Sequence, residues 1–428
     1  MGVIMKKTYF LIGIKGTGMS ALAQCLFDLG HIILGSDVSE DYKTSDGLMR
    51  RGIKILPFNP SHITDEYIYI IGNAYDKYHE EVSIVLENKY PHFYYHEFLA
   101  QMPGYHLAIS GTHGKTTTTT LIKEVLSNQL CAYVIGDGNG GAVIDYDYFI
   151  YEACEYRNHF LSYYPDLLVI NNIEHDHPDF FHSLDEVISS FKKISDQAKM
   201  IVVNGDDVNV SLIEHKRKIT FGFKETNDYI IKINNKTNSG FDIMINNEKF
   251  KIPFVGLHMI YNSVASYVVG TLLGLTTIEI QAKILKSNLP KRRMEIIEIN
   301  NLVLVDDYAH HPTEIKALYE ALSQKYPHHT INAIFQPHTY SRTFALKEAF
   351  VTSLKMYDKV YLENVFTSSR EQENLNLQEK VDDFFLGFQK FNLQILKTLS
   401  PQKKEVWVFL GAGIVNRYLS EIVKQIHL

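Results

Sequence analysis

The sequence predicts an α/β protein of three domains, each built around a mainly parallel β-sheet. Short apolar segments typical of buried strands alternate with segments of helical periodicity through most of the chain. Glycine-rich turns follow predicted strands near residues 16, 111 and 411, where such sheets bind their ligands. The length of 428 residues fits three domains of about 100–200 residues each.

Composition and charge exclude several classes of protein. Hydrophobic residues make up 45% and charged residues 21% of the chain, which is typical of a globular protein. The formal net charge of −7 argues against a non-specific nucleic-acid binder, so no nucleic-acid partner is predicted. The apolar run Thr8–Ile14 is too short for a signal peptide or a membrane span, so no membrane insertion is expected.

The three cysteines, Cys25, Cys131 and Cys154, lack the spacing of a metal site. A disulfide framework is therefore not expected, and a cytoplasmic location is predicted. Cys154 lies beside Glu152, but no activating base can be assigned to it, so it is predicted to pack rather than to act as a nucleophile.

The first predicted domain, residues 1–104, opens with a strand over Thr8–Ile14 and a glycine-rich turn into a helix that ends near Leu29. A carboxylate follows the second strand about twenty residues after the turn, where it could bind ribose hydroxyls. This pattern binds a pyrophosphate, which leaves a nicotinamide or flavin cofactor and a sugar nucleotide both open. The candidate binding residues are Gly16, Thr17, Gly18, Met19, Ser20 and Asp37.

The rest of this domain continues the alternation of strands and helices, which predicts a parallel sheet. The sequence Met102-Pro103-Gly104 then breaks the pattern and marks a domain boundary. The predicted strands cover Ile53–Leu56 and Tyr67–Gly72, and the predicted helices cover Lys77–Glu87 and His96–Gln101.

The second predicted domain, residues 105–290, begins with a phosphate-binding loop between a strand, Tyr105–Ser110, and a helix, Thr116–Leu126. Its glycines let successive N–H groups face one anion, and Lys115 can place its ammonium against the outer phosphates. The strict nucleotide-binding pattern fails, because Ile109 occupies its first glycine position. The candidate loop residues are Gly111, Thr112, His113, Gly114, Lys115, Thr116 and Thr117.

Two further side chains follow strands of the same predicted sheet. Glu152 ends the strand Tyr148–Ala153, and His177 lies just past the strand Leu167–Asn171. Together with Thr116 they could bind a divalent ion that bridges the phosphates. Magnesium prefers oxygen ligands, so His177 would act through water or favour manganese.

The remainder of the second domain has weaker functional signals. An antiparallel patch is predicted over Tyr229–Pro253, and a long apolar helix runs from Gly256 to about Leu273. His258 and Asn262 share one face of this helix, where they could contact a base or simply occupy the helix start. The other predicted elements are strands at Cys131–Gly136 and Met200–Asn204 and a helix at Leu184–Ala198.

The third predicted domain, residues 291–428, follows a basic linker and restarts the alternation. Two strands, Leu302–Val305 and Thr330–Phe335, run into segments rich in Asp, His and Arg, and a last strand covers Val406–Gly411. Since parallel strands end at one edge of a sheet, the cluster is predicted to bind an anionic ligand. A metal at the adjacent histidines is disfavoured, because no third ligand has suitable spacing.

The motifs, taken in order, resemble those of the Mur ligases from Gly13 to Gly413. They read Gly-Ile-Lys-Gly-Thr-Gly-Met-Ser, Gly-Thr-His-Gly-Lys-Thr-Thr, Glu-Ala-Cys-Glu-Tyr, Asn-Ile-Glu-His-Asp-His, Asp-Asp-Tyr-Ala-His-His-Pro-Thr-Glu and Phe-Gln-Pro-His-Thr-Tyr-Ser-Arg-Thr. The resemblance implies a Rossmann-like domain that binds the UDP part of a substrate, a central P-loop ATPase-like domain and a Rossmann-like C-terminal domain. No redox cofactor is implied.

Within the family, the chain is most similar to members that join L-alanine to UDP-N-acetylmuramate. The implied reaction transfers the γ-phosphoryl group of ATP to the lactyl carboxylate, and the alanine amine then attacks the acyl phosphate. The implied cofactors are ATP and Mg²⁺, with Mn²⁺ as an alternative, and the protein would be a monomer or a homodimer.

The resemblance also implies roles for single residues. Asn262 would contact the adenine, and Arg293 and Asp306 would contact the nucleotide. The alanine side of the site would comprise Tyr308, His310, His338 and Arg342, and the catalytic set would comprise Lys115, Glu152, His177, His310 and Arg342. The chain departs from many relatives at Met259, Thr339 and Ile414, of which Thr339 replaces a second arginine in some relatives and leaves Arg342 as the expected carboxylate anchor.

Three alternatives remain at this point. A related ligase attaches a recycled tripeptide to the same UDP-sugar and shares most of these motifs. A nicotinamide-dependent oxidoreductase explains Gly16 to Asp37 but leaves Lys115 without a role. A non-catalytic nucleotide-binding switch would bind ATP without forming a product.

Overall fold

The computed structural model describes residues 6–40, 42–367, 371 and 374–426. Two compact units are present, and each is described by itself. Unit 1 comprises Met1–Glu174, Leu184–Ile230 and Asn262–Ser287, and unit 2 comprises His175–Ser183, Ile231–Tyr261 and Asn288–Leu428. The predicted α/β class is confirmed, whereas the domain boundaries at residues 104 and 290 stay a prediction.

The first sheet of unit 1 is parallel, with the strand order β3-β2-β1-β4-β5. Its central strand is buried because Phe10, Leu11 and Ile12 are sealed from solvent. The strands are β1 Thr8–Ile12, β2 Ile32–Asp37, β3 Lys54–Pro57, β4 Ile68–Ile71 and β5 His92–Tyr94, and the helices are α1 Thr17–Asp28, α2 Ser45–Arg50, α3 Glu80–Glu87 and α4 Tyr95–Leu99.

The helix predicted over Lys77–Glu87 begins later than expected, at Glu80. His79 precedes it in extended conformation, and its Nδ1 accepts a hydrogen bond from the Glu81 N–H at 3.3 Å. This side-chain cap satisfies one of the N–H groups that a helix start leaves unpaired. The capping histidine therefore fixes the start of α3.

The central sheet of unit 1 has the order β12-β11-β10-β6-β9-β7-β8 and is parallel except at β8. The sequence did not predict β8 and β12, because one is Gly-Gly-Ala and the other begins with a lysine. The strands are β6 Tyr105–Ser110, β7 Cys131–Val134, β8 Gly140–Ala142, β9 Tyr148–Glu152, β10 Leu167–Ile170, β11 Ile201–Asn204 and β12 Lys218–Gly222.

Two helices lie between strands of this sheet, and two more follow one another after Ile252. The third of the four is the long helix predicted from Gly256, and the fourth begins with a capping box between Thr276 and Glu279. The helices are α5 Lys115–Val125, α6 Leu184–Gln197, α7 Leu257–Leu272 and α8 Thr277–Ile284.

Unit 2 contains the predicted antiparallel patch and a six-stranded sheet. The patch is formed by β13 Tyr229–Thr237, β14 Gly240–Ile245 and β15 Glu248–Ile252. The six-stranded sheet has the order β16-β17-β21-β18-β19-β20, and all of its pairs are parallel except β16 with β17. Its strands are β16 Glu295–Ile299, β17 Leu302–Asp307, β18 Thr330–Phe335, β19 Lys359–Leu362, β20 Gln389–Lys390 and β21 Glu405–Leu410.

The last strand in the chain lies at the centre of this sheet. β21 pairs with both β17 and β18, so these two strands end at the same edge without being neighbours. The helices of unit 2 are α9 Pro312–Lys325, α10 Tyr340–Ala345, α11 Lys347–Leu354, α12 Leu375–Phe384 and α13 Arg417–Ile426. Within the described ranges, no helix has the length and apolarity that crossing a bilayer requires.

A close backbone contact joins the central sheet of unit 1 to helix α1. A Cβ atom on Gly140, in β8, would lie 1.8 Å from the carbonyl oxygen of Ala21 in α1. Nearby, the Gln24 side chain donates to the Gly138 carbonyl at 2.6 Å, and Arg51 donates to the Gly140 carbonyl at 3.2 Å. Only glycine permits this approach, because backbone atoms cannot move aside as a flexible side chain can.

The Gly140→Ala variant should therefore destabilise unit 1 by about 1–3 kcal/mol, the usual cost of overpacking. Chemical denaturation followed by circular dichroism measures this change. Gly387→Ala is the matched control, since a Cβ atom there meets nothing within 4 Å, and it should change stability by less than about 0.5 kcal/mol. Equal stability of the two variants would contradict the contact.

Candidate functional site

The predicted phosphate loop has a backbone that requires glycine at two positions. Gly111 and Gly114 have φ angles of +131° and +79°, and Gly114 is the left-handed residue before α5. A Cβ atom on Gly111 would approach the Asn171 N–H at 3.1 Å, and one on Gly114 would approach the Asn262 Oδ1 at 2.7 Å. The loop therefore curls tightly over the carboxyl end of β6, as an anion-binding turn does.

Lys115 is held inside this loop rather than extended into solvent. Its Nζ donates to the carbonyl oxygens of Gly111 at 2.5 Å and Thr112 at 3.2 Å, and it forms an ion pair with Glu155 at 3.0 Å. Burial opposes the charged form, but the Glu155 carboxylate outweighs it and raises the pKa of Lys115 above its usual range. The ammonium is therefore charged and already positioned.

Glu155 is a site residue that the sequence reasoning missed. Its side chain is only 2% exposed, and both of its carboxylate oxygens accept hydrogen bonds from the Lys115 ammonium. The available signal was the second acidic residue of Glu-Ala-Cys-Glu-Tyr, three positions after Glu152. A buried carboxylate needs a cationic partner, and that requirement favours Glu155 beside a loop lysine.

Thr116 and Glu152, two of the three predicted metal ligands, lie together in unit 1. The Thr116 hydroxyl donates to the Glu152 Oε2 at 3.2 Å, and the Gly136 N–H donates to the Glu152 Oε1 at 2.6 Å. A hydroxyl and a carboxylate are the hard oxygen ligands that Mg²⁺ prefers, so this pair fits the predicted ion. His177 belongs to unit 2, where its Nε2 lies 3.8 Å from the Asp176 Oδ2.

The other predicted loop residues are anchored by neighbouring strands of unit 1. The His113 N–H donates to the Asn172 Oδ1 at 2.7 Å, and the Thr112 hydroxyl accepts from the Glu174 N–H at 2.8 Å. Asn262, the predicted adenine contact, accepts from the Thr118 hydroxyl at 3.3 Å. Thr117 is buried in the first turn of α5. The structure thus brings Asn262 to the helix that follows the loop.

The residues predicted to bind UDP surround the carboxyl ends of β1 and β2. Gly16 precedes α1, Thr17, Gly18, Met19 and Ser20 form its first turn, and the Ser20 hydroxyl donates to the Thr44 carbonyl at 2.7 Å. Asp37 accepts from the Lys15 N–H at 2.6 Å and the Val38 N–H at 2.8 Å. Burial raises the pKa of Asp37 despite these hydrogen bonds. Both of its oxygens therefore brace the loop, and its contact with ribose stays a prediction.

The four residues predicted for the amino-acid side of the site lie together in unit 2. The Arg342 side chain is 3% exposed, and its Nη1 donates to the His338 Nδ1 at 2.9 Å. The His338 and His310 rings meet edge to face at 5.8 Å, and the His310 and Tyr308 rings do so at 5.2 Å. Arg342 links this cluster to Asp176 at 2.8 and 3.2 Å.

Asp176 is the second residue that the sequence reasoning missed. Burial opposes its charge, but His177 and the Arg342 guanidinium hold its pKa well below the usual range. Burial also lowers the pKa of His310, to about 3. A lowered pKa keeps a carboxyl group charged but keeps an imidazole neutral. The cluster therefore contains one fixed ion pair and a neutral imidazole. Asp176 could have been found from its place in Asn-Ile-Glu-His-Asp-His, but its partner could not.

Arg293 and Asp306, the predicted nucleotide contacts of the third domain, have different partners in unit 2. Asp306 pairs with Arg292 at 3.2 Å, whereas Arg293 pairs with Glu314 at 3.6 Å. Arg292 also donates to the Gly411 carbonyl at 2.6 Å, which ties it to the end of β21. The nucleotide roles of Arg293 and Asp306 stay predictions.

The three departures occupy different environments in unit 2. Thr339 has a positive φ angle of +65° with a ψ of 142° just before α10, a backbone conformation that a β-branched residue rarely adopts. Met259 is buried, and Ile414 is 45% exposed while its N–H donates to the Gln336 Oε1 at 2.8 Å.

The glycine-braced loop, its charged lysine and the oxygen pair beside it define a nucleotide-dependent enzyme of the α/β class. Family models match three successive stretches of the chain: "Mur ligase family, catalytic domain" at residues 8–104, "Mur ligase middle domain" at 109–270 and "Mur ligase, glutamate ligase domain" at 292–387. The chain belongs to the Mur ligase family and is an ATP-dependent ligase that forms amide bonds. The oxidoreductase and switch alternatives are therefore wrong.

Solved structures of this family share the fold along the whole chain. UDP-N-acetylmuramate-alanine ligase MurC from Thermotoga maritima is 24% identical with a TM-score of 0.81, covering 98% of this chain and 99% of that one. The murein peptide ligase from Psychrobacter arcticus is 20% identical with a TM-score of 0.72, covering 98% of each chain. MurF ligase from Thermotoga maritima, solved with ADP, is 16% identical with a TM-score of 0.65, covering 100% and 99%. These likenesses confirm the three-domain architecture.

The Asp176→Asn variant should destabilise unit 2 by about 3–5 kcal/mol, because Arg342 would stay buried without its counter-charge. The folded-state pKa of Asp176 lies below the ordinary 3.8, so its carboxylate contributes stability above that pH and loses it as the pH falls through the folded-state value. The difference between wild type and variant should therefore be constant from about pH 5 to 7 and shrink in acid. Urea denaturation at a series of pH values measures it.

The control for this experiment is Asp382→Asn, which breaks the ion pair of Asp382 with Lys390 in the same unit. Those side chains are 41% and 62% exposed, so the loss should be at most about 1 kcal/mol. If both variants lost the same free energy of unfolding, the buried ion pair would contribute no more to stability than the exposed one.

Proposed function

We propose that the protein joins L-alanine to the lactyl carboxylate of UDP-N-acetylmuramate, converting ATP to ADP and phosphate and forming UDP-N-acetylmuramoyl-L-alanine. The single observation that carries the proposal is the Lys115 ammonium, held charged in the phosphate loop beside Thr116 and Glu152. The identity of the substrates draws on the name of the Thermotoga maritima ligase, whose chain this one matches over nearly its full length.

The first step activates the acid. A carboxylate is a poor electrophile, so one of its oxygens attacks the γ-phosphorus of ATP, the bond to the β-phosphate oxygen breaks, and ADP leaves. The acyl phosphate that forms carries a good leaving group. Lys115 and the N–H groups at the start of α5 would stabilise the negative charge that accumulates on the phosphoryl oxygens. Because the lysine is already fixed by Gly111 and Glu155, little reorganisation accompanies this step.

Thr116, Glu152 and His177 are the proposed ligands of Mg²⁺, with Mn²⁺ as the alternative. Bound metal would neutralise phosphate charge and orient the oxygens for in-line transfer. The Gly136 N–H fixes one oxygen of Glu152 and the Thr116 hydroxyl contacts the other, so the carboxylate is oriented before any ligand arrives.

The second step forms the amide bond. The alanine nitrogen attacks the acyl carbon, the tetrahedral intermediate expels phosphate, and the departing phosphate takes up the proton that the amine loses. His310 donates its Nδ1 hydrogen to the Tyr308 carbonyl at 2.9 Å, which leaves a lone pair on Nε2. A group with a pKa of about 3 is a weak base, so His310 would orient the amine rather than remove its proton.

Arg342 is the proposed anchor for the alanine carboxylate. A guanidinium has five N–H donors, and three of them already bind Asp176 and His338, which leaves two for a substrate. Two donors match one small carboxylate, as an L-alanine acceptor requires. Arg293 and Asp306 would complete the nucleotide site, and Asn262 would contact the adenine.

The Lys115→Ala variant should reduce phosphate release by at least about 100-fold, because a preorganised charge that stabilises the transition state is lost. Binding of UDP-N-acetylmuramate, measured by calorimetry, should change by less than about twofold, since first-domain residues are proposed to bind UDP. Lys123→Ala is the control, because Lys123 lies in the last turn of the same helix and forms an ion pair with Glu124 at 2.6 Å. An equal loss of phosphate release and of UDP-N-acetylmuramate binding in Lys115→Ala would refute this division of roles.

Acceptor selectivity distinguishes the proposal from its nearest alternative, the ligase that attaches a recycled tripeptide. Phosphate release with ATP and UDP-N-acetylmuramate should rise at least about tenfold on addition of L-alanine and stay at background with L-alanyl-γ-D-glutamyl-meso-diaminopimelate. The murein peptide ligase shares the fold at comparable coverage, which keeps this alternative open. Stimulation by the tripeptide alone would assign the chain to that reaction.

A further inference from the structure

Two histidines that the proposed reaction does not use stack against each other in unit 1. His96 lies in α4, and His159 lies in a short 3₁₀ segment, Tyr156–Ser162, which follows the central-sheet strand β9. Their ring centroids are 4.5 Å apart and their planes are inclined by 15°. The contact therefore joins helix α4 to the segment that follows β9.

One amide sets the protonation of both rings. Asn73, just after β4, bonds through Oδ1 to the His96 Nδ1 at 2.9 Å and through Nδ2 to the His159 Nδ1 at 3.0 Å. The His96 Nδ1 must then donate and the His159 Nδ1 must accept, so the lone pair is on the Nε2 of His96 and the proton is on the Nε2 of His159. Turning the amide over exchanges these roles. In either orientation the pair presents one donor and one acceptor.

The two Nε2 atoms are available to a ligand. Neither atom has a hydrogen-bond partner among the described residues, and neither atom is fully buried. Burial lowers the pKa of His159 to about 4, assisted by His96 and Arg157, and burial also lowers the pKa of His96 against the opposing charge of Glu97. Both rings are therefore neutral near pH 7, so the donor and the acceptor persist.

The histidine pair is linked through the chain to both predicted ligand loops. Tyr95 precedes His96, and its hydroxyl oxygen lies 2.7 Å from where a Cβ atom of Gly18 would be, against the first turn of α1. Along the chain, His159 follows Glu155, the partner of Lys115, by four residues. The Tyr95 hydroxyl has no hydrogen-bond partner among the described residues, so a third donor is available there.

We propose that His96, Asn73 and His159 form the subsite for the sugar of the nucleotide-sugar substrate, which must span from the UDP loop to the phosphate loop. This assignment rests on the proposed function. Phosphate oxygens only accept hydrogen bonds and cannot satisfy the unprotonated Nε2, whereas hydroxyl groups and an N-acetyl amide both donate and accept. The histidine pair would therefore act as a specificity determinant that reads the N-acetylated sugar and positions its acid.

The test compares the affinities of UDP-N-acetylmuramate and UDP for the full-length protein by calorimetry. His96→Phe and His159→Phe preserve the stacked ring and each remove one hydrogen bond to the sugar along with the bond to Asn73, so each should weaken binding of UDP-N-acetylmuramate by about 3- to 10-fold. UDP affinity should stay within about twofold of wild type. His31→Phe is the control, since His31 lies at the opposite, amino end of β2, and it should leave both affinities unchanged.

Three outcomes would overturn the assignment. If a variant lost as much affinity for UDP as for UDP-N-acetylmuramate, the pair would support the nucleotide site or the fold. If a variant kept its affinity for both ligands, the pair would not contact the sugar. Two-bond ¹⁵N–¹H spectra provide an independent readout: one ring should be protonated on Nδ1 and the other on Nε2, and only UDP-N-acetylmuramate, not UDP, should shift both. Identical tautomers would contradict the bridge through Asn73. If the wild type bound UDP but not UDP-N-acetylmuramate, the proposed function itself would fail.

Discussion

The ion pair of Lys115 and Glu155 is the interaction on which the nucleotide site depends. A lysine in a glycine loop would otherwise be mobile, and burial alone would favour its neutral form. Glu155 keeps it charged, and the Gly111 carbonyl keeps it in the loop. Glu155 also lies in the segment that carries Glu152 and His159. One short stretch that begins at the last residue of β9 therefore supplies the proposed metal ligand, the partner of the lysine and half of the histidine pair.

Unit 2 also contains a buried cation that is paired with a buried carboxylate. Arg342 is almost fully buried, and Asp176 balances it at hydrogen-bonding distance. Around this pair, His310 is kept neutral by burial and oriented by a backbone carbonyl. In both units the charges are therefore neutralised by the protein before a substrate binds. Such preorganisation favours charge stabilisation during the reaction, because the dipoles need not turn to meet it.

Much of the fold and part of the site could be predicted because their signals are local. Strand and helix periodicity located most elements of the three sheets, and the glycines, Lys115 and Thr116 identified the loop from neighbouring positions in the chain. The weak strands β8 and β12 were missed because Gly-Gly-Ala and a lysine-led segment carry little apolar signal. The partners Glu155 and Asp176 were missed because the choice among nearby carboxylates depends on how strands are ordered in space.

The sequence by itself determined the α/β class, the glycine turns and the chemical identity of the side chains that follow each strand, since backbone preference and apolar periodicity act over a few residues. Only the tertiary structure decided that β21 separates β17 from β18, that Arg342 pairs with Asp176 across 166 positions, and that Asn73 joins His96 to His159. These contacts link residues far apart in the chain, and they exist only once packing has fixed which strands and turns are neighbours.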